Sequence, residues 1–138
     1  MPGLLQASMT EPQRQAISVP IADMRSALDG ERYSAAVGAA KDLAEAACKV
    51  AIERAGGTSP RGAKLPRLFK HTLDVTAIET AEGDVGRSLA ATVQRLAELR
   101  NAVGSGHGRA AQPDVDGRRA RLSATAACGI ALFVLAED

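Results

Sequence analysis

The sequence predicts an all-α protein, an antiparallel helical bundle of about four to five helices. Apolar residues recur at spacings of three and four along most of the chain, and no stretch shows the strict alternation of a half-buried strand. Ala supplies much of the 46% apolar content, and Tyr33, Phe69 and Phe133 are the only aromatics. That composition favours helices packed at close range over sheets, which draw on β-branched and aromatic residues. Stretches containing Gly or Pro separate the periodic segments.

The 138 residues form one domain, long enough to bury a core without disulfides or metals. Residues 1–17 mix Pro, Gly, Gln and Ser without sustained periodicity and read as a flexible N-terminal segment, leaving residues 18–138 as a single helical domain. Pro20, a residue tolerated at a first helical position, opens a short helix to Leu28, and Asp29-Gly30 closes it. Glu31 to Ala55 is the first long helix, with Tyr33, Val37, Ala40, Ala44, Ala47 and Ala51 on its apolar stripe. Gly56-Gly57 ends it, and Thr58 to Lys64 is a loop. A third helix starts near Leu65-Pro66, turns Leu68, Phe69 and Leu73 inward and stops at Glu82-Gly83. Asp84 caps a fourth that runs through Val103 on a stripe of Leu89, Val93, Leu96 and Val103. A polar connection with Pro113 follows. The last helix starts around Gly117 and is small or apolar nearly all round from Ala124, so it needs cover on more than one side.

Composition narrows the function. A net charge of +1 means that any basic footprint is local. Cys48 and Cys128 lie in Ala-rich helices without CxxC spacing, which reads as buried free thiols and no zinc site. His71 stands beside Lys70 in the third helix and reads as a surface residue without a role. The N-terminus has no secretory pattern. The longest uncharged run, Ser123 to Ala136, is shorter than the about 20 residues that span a bilayer. A cytoplasmic protein with no membrane partner is expected.

One stretch brings a fixed cation, a titratable base and a broken backbone together: Leu99-Arg100-Asn101-Ala-Val-Gly104-Ser105-Gly106-His107-Gly108-Arg109. Arg100 borders the buried stripe, four residues after Leu96, so its guanidinium is partly desolvated and needs a partner. A continuous helix would carry His107 about 10 Å further along the axis. Gly104, Gly106 and Gly108 remove that constraint and let the chain turn back toward Arg100. An imidazole beside a permanent cation suits phosphodiester chemistry: the base moves a proton and the cation stabilises the phosphate oxygens. RNA carries its own nucleophile in the 2′-hydroxyl, and the chain has no carboxylate cluster of the kind a metal-dependent nuclease uses. One histidine leaves the second proton-transfer role vacant, which a two-fold dimer would fill. On the residues alone, a flexible turn with Arg100 ion-paired to Glu98 is the stronger reading. Between Arg95 and Arg121 six arginines face Glu98, Asp114 and Asp116, and Arg109, Arg118, Arg119 and Arg121 flank the loop as candidate RNA-phosphate contacts.

The run from Leu99 to Arg109 resembles the signature of the abortive-infection C-terminal (Abi-C) domain family, with a leucine-arginine-asparagine helix end leading to a histidine-glycine-arginine turn. Ala40 to Lys49, Leu65 to Lys70 and the Ala120 helix to Phe133 extend the resemblance in the same order, from Gly30 to Glu137. The helix end is also similar to the HEPN superfamily motif of Arg, a polar residue and a His four to six residues on; here six residues separate Arg100 and His107. Family members often carry the domain behind a larger N-terminal part, and some HEPN-like domains are scaffolds. The resemblance implies a dimeric HEPN-like α-helical domain and, in active members, a metal-independent endoribonuclease of phage defence or toxin–antitoxin systems. Such an enzyme needs no cofactor and leaves 2′,3′-cyclic phosphate ends. By carry-over Arg100 and His107 are the catalytic pair, with Asn101 and Ser105 in support. Expected partners are a second copy, an RNA substrate, and an antitoxin or defence-system component. The alternative is a non-catalytic helical dimerisation domain of such a system. A third reading is passive RNA binding through Arg109 to Arg121.

Overall fold

Thr10 starts the first helix. Its Oγ1 accepts the Gln13 backbone N–H at 3.2 Å, and the Gln13 side chain accepts the Thr10 N–H at 3.1 Å, a reciprocal capping box. The structure is a computed structural model that describes residues 9–78, 80–104 and 116–136, with only the helix path at 80, 81 and 99–104. From its cap, α1 (Glu11–Asp29) turns Ile17, Pro20, Met24 and Ala27 inward at steps of three and four. Residues 11–17, expected to be flexible, are thus helical in this structure, and Ile17 is wholly buried. The cap holds this stretch where periodicity is weak, because its polar residues lie on the outer side. Pro20, expected to open a helix, sits inside one, so the Ala16 carbonyl lacks its usual intrahelical donor.

Glu31 takes a positive φ of 56° in the turn out of α1, and Arg32 Nη2 donates to Ser26 Oγ at 2.9 Å across it. α2 (Tyr33–Arg54) buries eleven residues, six of them Ala, and packs on all four other helices. Alanine methyls allow that crowding, because they keep neighbouring axes close. α3 (Leu65–Thr76) buries Leu65, Leu68, Phe69, Thr72 and Leu73. It ends earlier than expected, at Ala77, which adopts the left-handed conformation while Ile78 N–H reaches back to the Leu73 carbonyl. An L side chain in that conformation costs about 1–2 kcal/mol. Ala77→Gly is expected to raise stability by about 1 kcal/mol, read as a higher denaturation midpoint at unchanged slope.

α4 (Thr80–Gly104) thus begins before Gly83, which was expected to break the chain. Gly83 and Gly86 lie inside α4 and are buried. A Cβ at Gly83 would stand 2.9 Å from Leu73 Cδ1, and one at Gly86 would run into Phe69 Cζ. These glycines admit α3 side chains rather than ending a helix. α5 (Gly117–Leu135) begins as expected, with Asp116 accepting the Arg119 N–H at 2.8 Å. All five described elements are helices.

The bundle is not antiparallel throughout. Gln13 hydrogen-bonds Glu53, while Ala27 and Ala36 share a cluster, so α1 and α2 run oppositely. Phe69 over Gly86 and Leu73 over Gly83 set α3 against α4 in the same way. α2 and α3 run parallel: Val75 lies against Gly57, just past the end of α2, and the loop then returns along α3 to Lys64. His71 holds that loop, its Nε2 standing 3.1 Å from the Thr58 carbonyl. So this residue, expected to have no role, is a structural tie. Tyr33 and Gly117 meet at the starts of α2 and α5, which makes those two parallel as well.

Cys48 is buried as expected, whereas Cys128 is only half-buried. Burial pushes the Cys48 thiol up to about 12; a hydrogen bond with Thr72 opposes the shift and Glu45 adds to it. Burial also raises the Cys128 thiol. The protonated Cys48 thiol therefore favours the folded state fully below pH 9, and that contribution is lost between pH 9 and about 12. Unfolding free energy is expected to fall by up to about 1.4 kcal/mol per pH unit in that window from this group. Cys48→Ala should flatten the decline, which denaturant titrations at stepped pH would measure.

Candidate functional site

One end of the bundle holds the last turns of α4 and the first turns of α2 and α5. Leu96 and Ala97, in the C-terminal half of α4, pack with Ala27 of α1, Ala36 and Val37 of α2, and Ala120 of α5, with Leu28 and Tyr33 against them. This small cluster is separate from the main core, which holds Leu43, Ile52, Leu68, Phe69 and Ile130. Arg100 and Asn101 follow one turn beyond Leu96, on the helical path that ends at Gly104. The last turns of α4 therefore stand beside the first turns of α2 and α5.

Ser105, Gly106, His107, Gly108 and Arg109 lie outside the described residues, as does the expected approach of His107 to Arg100. Arg118, Arg119 and Arg121 occupy the first turns of α5, and all three are exposed. Glu98, named as a partner for Arg100, accepts from Gln94 Nε2 at 3.1 Å and stands 3.9 Å from Lys64 Nζ. Among the described residues no group of three or more His, Cys, Asp or Glu is placed to hold a metal ion. No helix among them is long and apolar enough to cross a membrane.

α2 and α5 begin at this end while α1 and α4 finish here, so the partial charges of the helix ends oppose one another. Three arginines of α5 add full charges, offset by Asp116, whose carboxylate is occupied by the Arg119 N–H. Tyr33 also stands at this end, against Gly117. A lone tyrosine at a helix start gives no sign that it will meet Gly117, a contact made only by packing α2 on α5.

A family model described as a HEPN-like domain, Abi_C, matches residues 15–138. The chain belongs to the Abi_C family. The match begins upstream of Gly30, where the sequence resemblance was drawn, so most of α1 is part of this HEPN-like domain. It places the chain in an abortive-infection, defence-related setting and in a superfamily that includes ribonucleases. No curated protein and no solved structure gives a significant match.

Proposed function

We propose that this Abi_C chain is a metal-independent endoribonuclease of phage defence that acts as a homodimer, with Arg100 and His107 as its catalytic pair. The observation that carries the reading is the Arg-Asn motif with its spaced His, at the end of α4, in a chain matched by the HEPN-like model along most of its length. His107 takes the proton from a 2′-hydroxyl, whose oxygen attacks the adjacent phosphorus. Arg100 stabilises the charge that builds on the non-bridging oxygens. The P–O5′ bond breaks, and the departing oxygen takes a proton from the partner's His107. The products are a 2′,3′-cyclic phosphate and a 5′-hydroxyl, with all protons accounted for. Asn101 and Ser105 support the turn.

The test incubates purified protein with single-stranded RNA in excess EDTA. Cleavage leaving cyclic phosphate ends is expected, and its absence from a dimeric preparation would favour the non-catalytic dimerisation reading.

A further inference from the structure

Tyr33 and Arg121 come from different helices to the same point. The position of a Cβ on Gly117 lies 2.8 Å from Arg121 Nη1 and 3.1 Å from the Tyr33 hydroxyl. Both groups therefore lie against the first turn of α5. Tyr33 is partly buried and packs on the cluster containing Leu96 and Ala97, which fixes its ring. Arg121 is exposed, and neither polar group has a hydrogen bond or ion pair among the described residues. Two unspent donors, one neutral and one cationic, therefore converge beside the last turns of α4.

We propose that the Tyr33 hydroxyl and the Arg121 guanidinium clamp one phosphate of the RNA strand. This rests on the nuclease reading for the identity of the ligand and adds a residue that reading did not contain. A phosphodiester presents non-bridging oxygens that accept from both groups at once. Arg121 supplies charge and forked N–H donors, while Tyr33 supplies a donor held in place by its packed ring. The clamp positions the strand and does not touch the reacting atoms.

The probe is a fluorescein-labelled 2′-O-methyl oligoribonucleotide, which binds but has no free 2′-hydroxyl to attack. Anisotropy titrations at several salt concentrations compare the parent with Tyr33→Phe, Tyr33→Ala, Arg121→Ala, the Tyr33→Phe/Arg121→Ala pair and a distant Lys49→Ala control. Tyr33→Phe is expected to weaken binding about two- to tenfold at an unchanged salt slope. Arg121→Ala is expected to weaken it about tenfold and lower the slope by about one, while Lys49→Ala changes little. The double variant should lose less than the product of the single losses, because both act on one phosphate. Thermal melts confirm that each variant is folded. A parent that does not bind overturns the clamp, as does Tyr33→Phe binding like the parent. If Tyr33→Ala alone is weak, the ring stacks on a base and the phosphate contact is wrong. Cleavage of unmodified RNA is scored separately: a parent that binds through the pair without cutting removes the nuclease reading and keeps the clamp. A parent that cuts while both variants bind normally does the reverse.

Discussion

His107→Ala is expected to lower RNA cleavage by about 10²- to 10⁴-fold, the contribution of a positioned general acid–base group. Under the proposed function the loss falls on the chemical step, since His107 takes the 2′-hydroxyl proton. Binding of the non-cleavable oligoribonucleotide and the thermal midpoint should stay near the parent values, because the substitution keeps every residue of the described core. Arg100→Lys should recover little of the loss from Arg100→Ala, because an ammonium does not reproduce the planar fork that grips two phosphate oxygens. The measurement is single-turnover cleavage in EDTA, with mixed dimers of His107→Ala and parent as the decisive arm. A dimer in which each copy completes the other's site should be damaged well beyond half. Full activity of His107→Ala would remove His107 from the mechanism.

The second large effect is structural. Phe69 is wholly buried, lies over Gly86 and stacks on Phe133 with ring centroids 6.3 Å apart. Phe69→Ala is expected to cost about 3–5 kcal/mol, a large share of the ~5–15 kcal/mol that a domain of this kind holds. Gly86→Ala should also destabilise, by about 1–3 kcal/mol, although alanine is the better helix former. The two sites are coupled. In a Phe69→Leu background, with no ring above the glycine, Gly86→Ala should be close to neutral or stabilising. Denaturant unfolding of the four proteins closes the cycle, and equal Gly86→Ala costs in both backgrounds would show that Phe69 does not set the requirement.

These glycines show where local reading stops. In the sequence Gly83 reads as a helix end because glycine weakens helices, a rule about isolated segments. Its position is decided by Leu73 arriving from another helix, which no local pattern reveals. The true break falls at Ala77, where an alanine takes a conformation usually left to glycine. The opposite lesson holds at the N-terminus. Thr10 and Gln13 carry a capping signature in the sequence itself, and it was obscured by the polar residues that follow. Long stripes were legible: α2, the body of α4 and α5 stand where periodicity put them, because a buried face leaves a period whatever its partners. The family, too, was legible in Arg100, Asn101 and His107. Tyr33 was not, since its meeting with Gly117 depends on two helices running parallel.

The same parallel course of α2 governs how variation can accumulate in this protein. Because α2 touches every other helix through a lining rich in methyl groups, its width acts as a shared gauge for the whole assembly. Thickening it at Ala40, Ala44 or Ala47 would push several neighbours outward together, and the pole where α4 ends would move with them. Sequence drift that alters that pole without loosening the scaffold therefore has more room on the rim of α5 than along this spine.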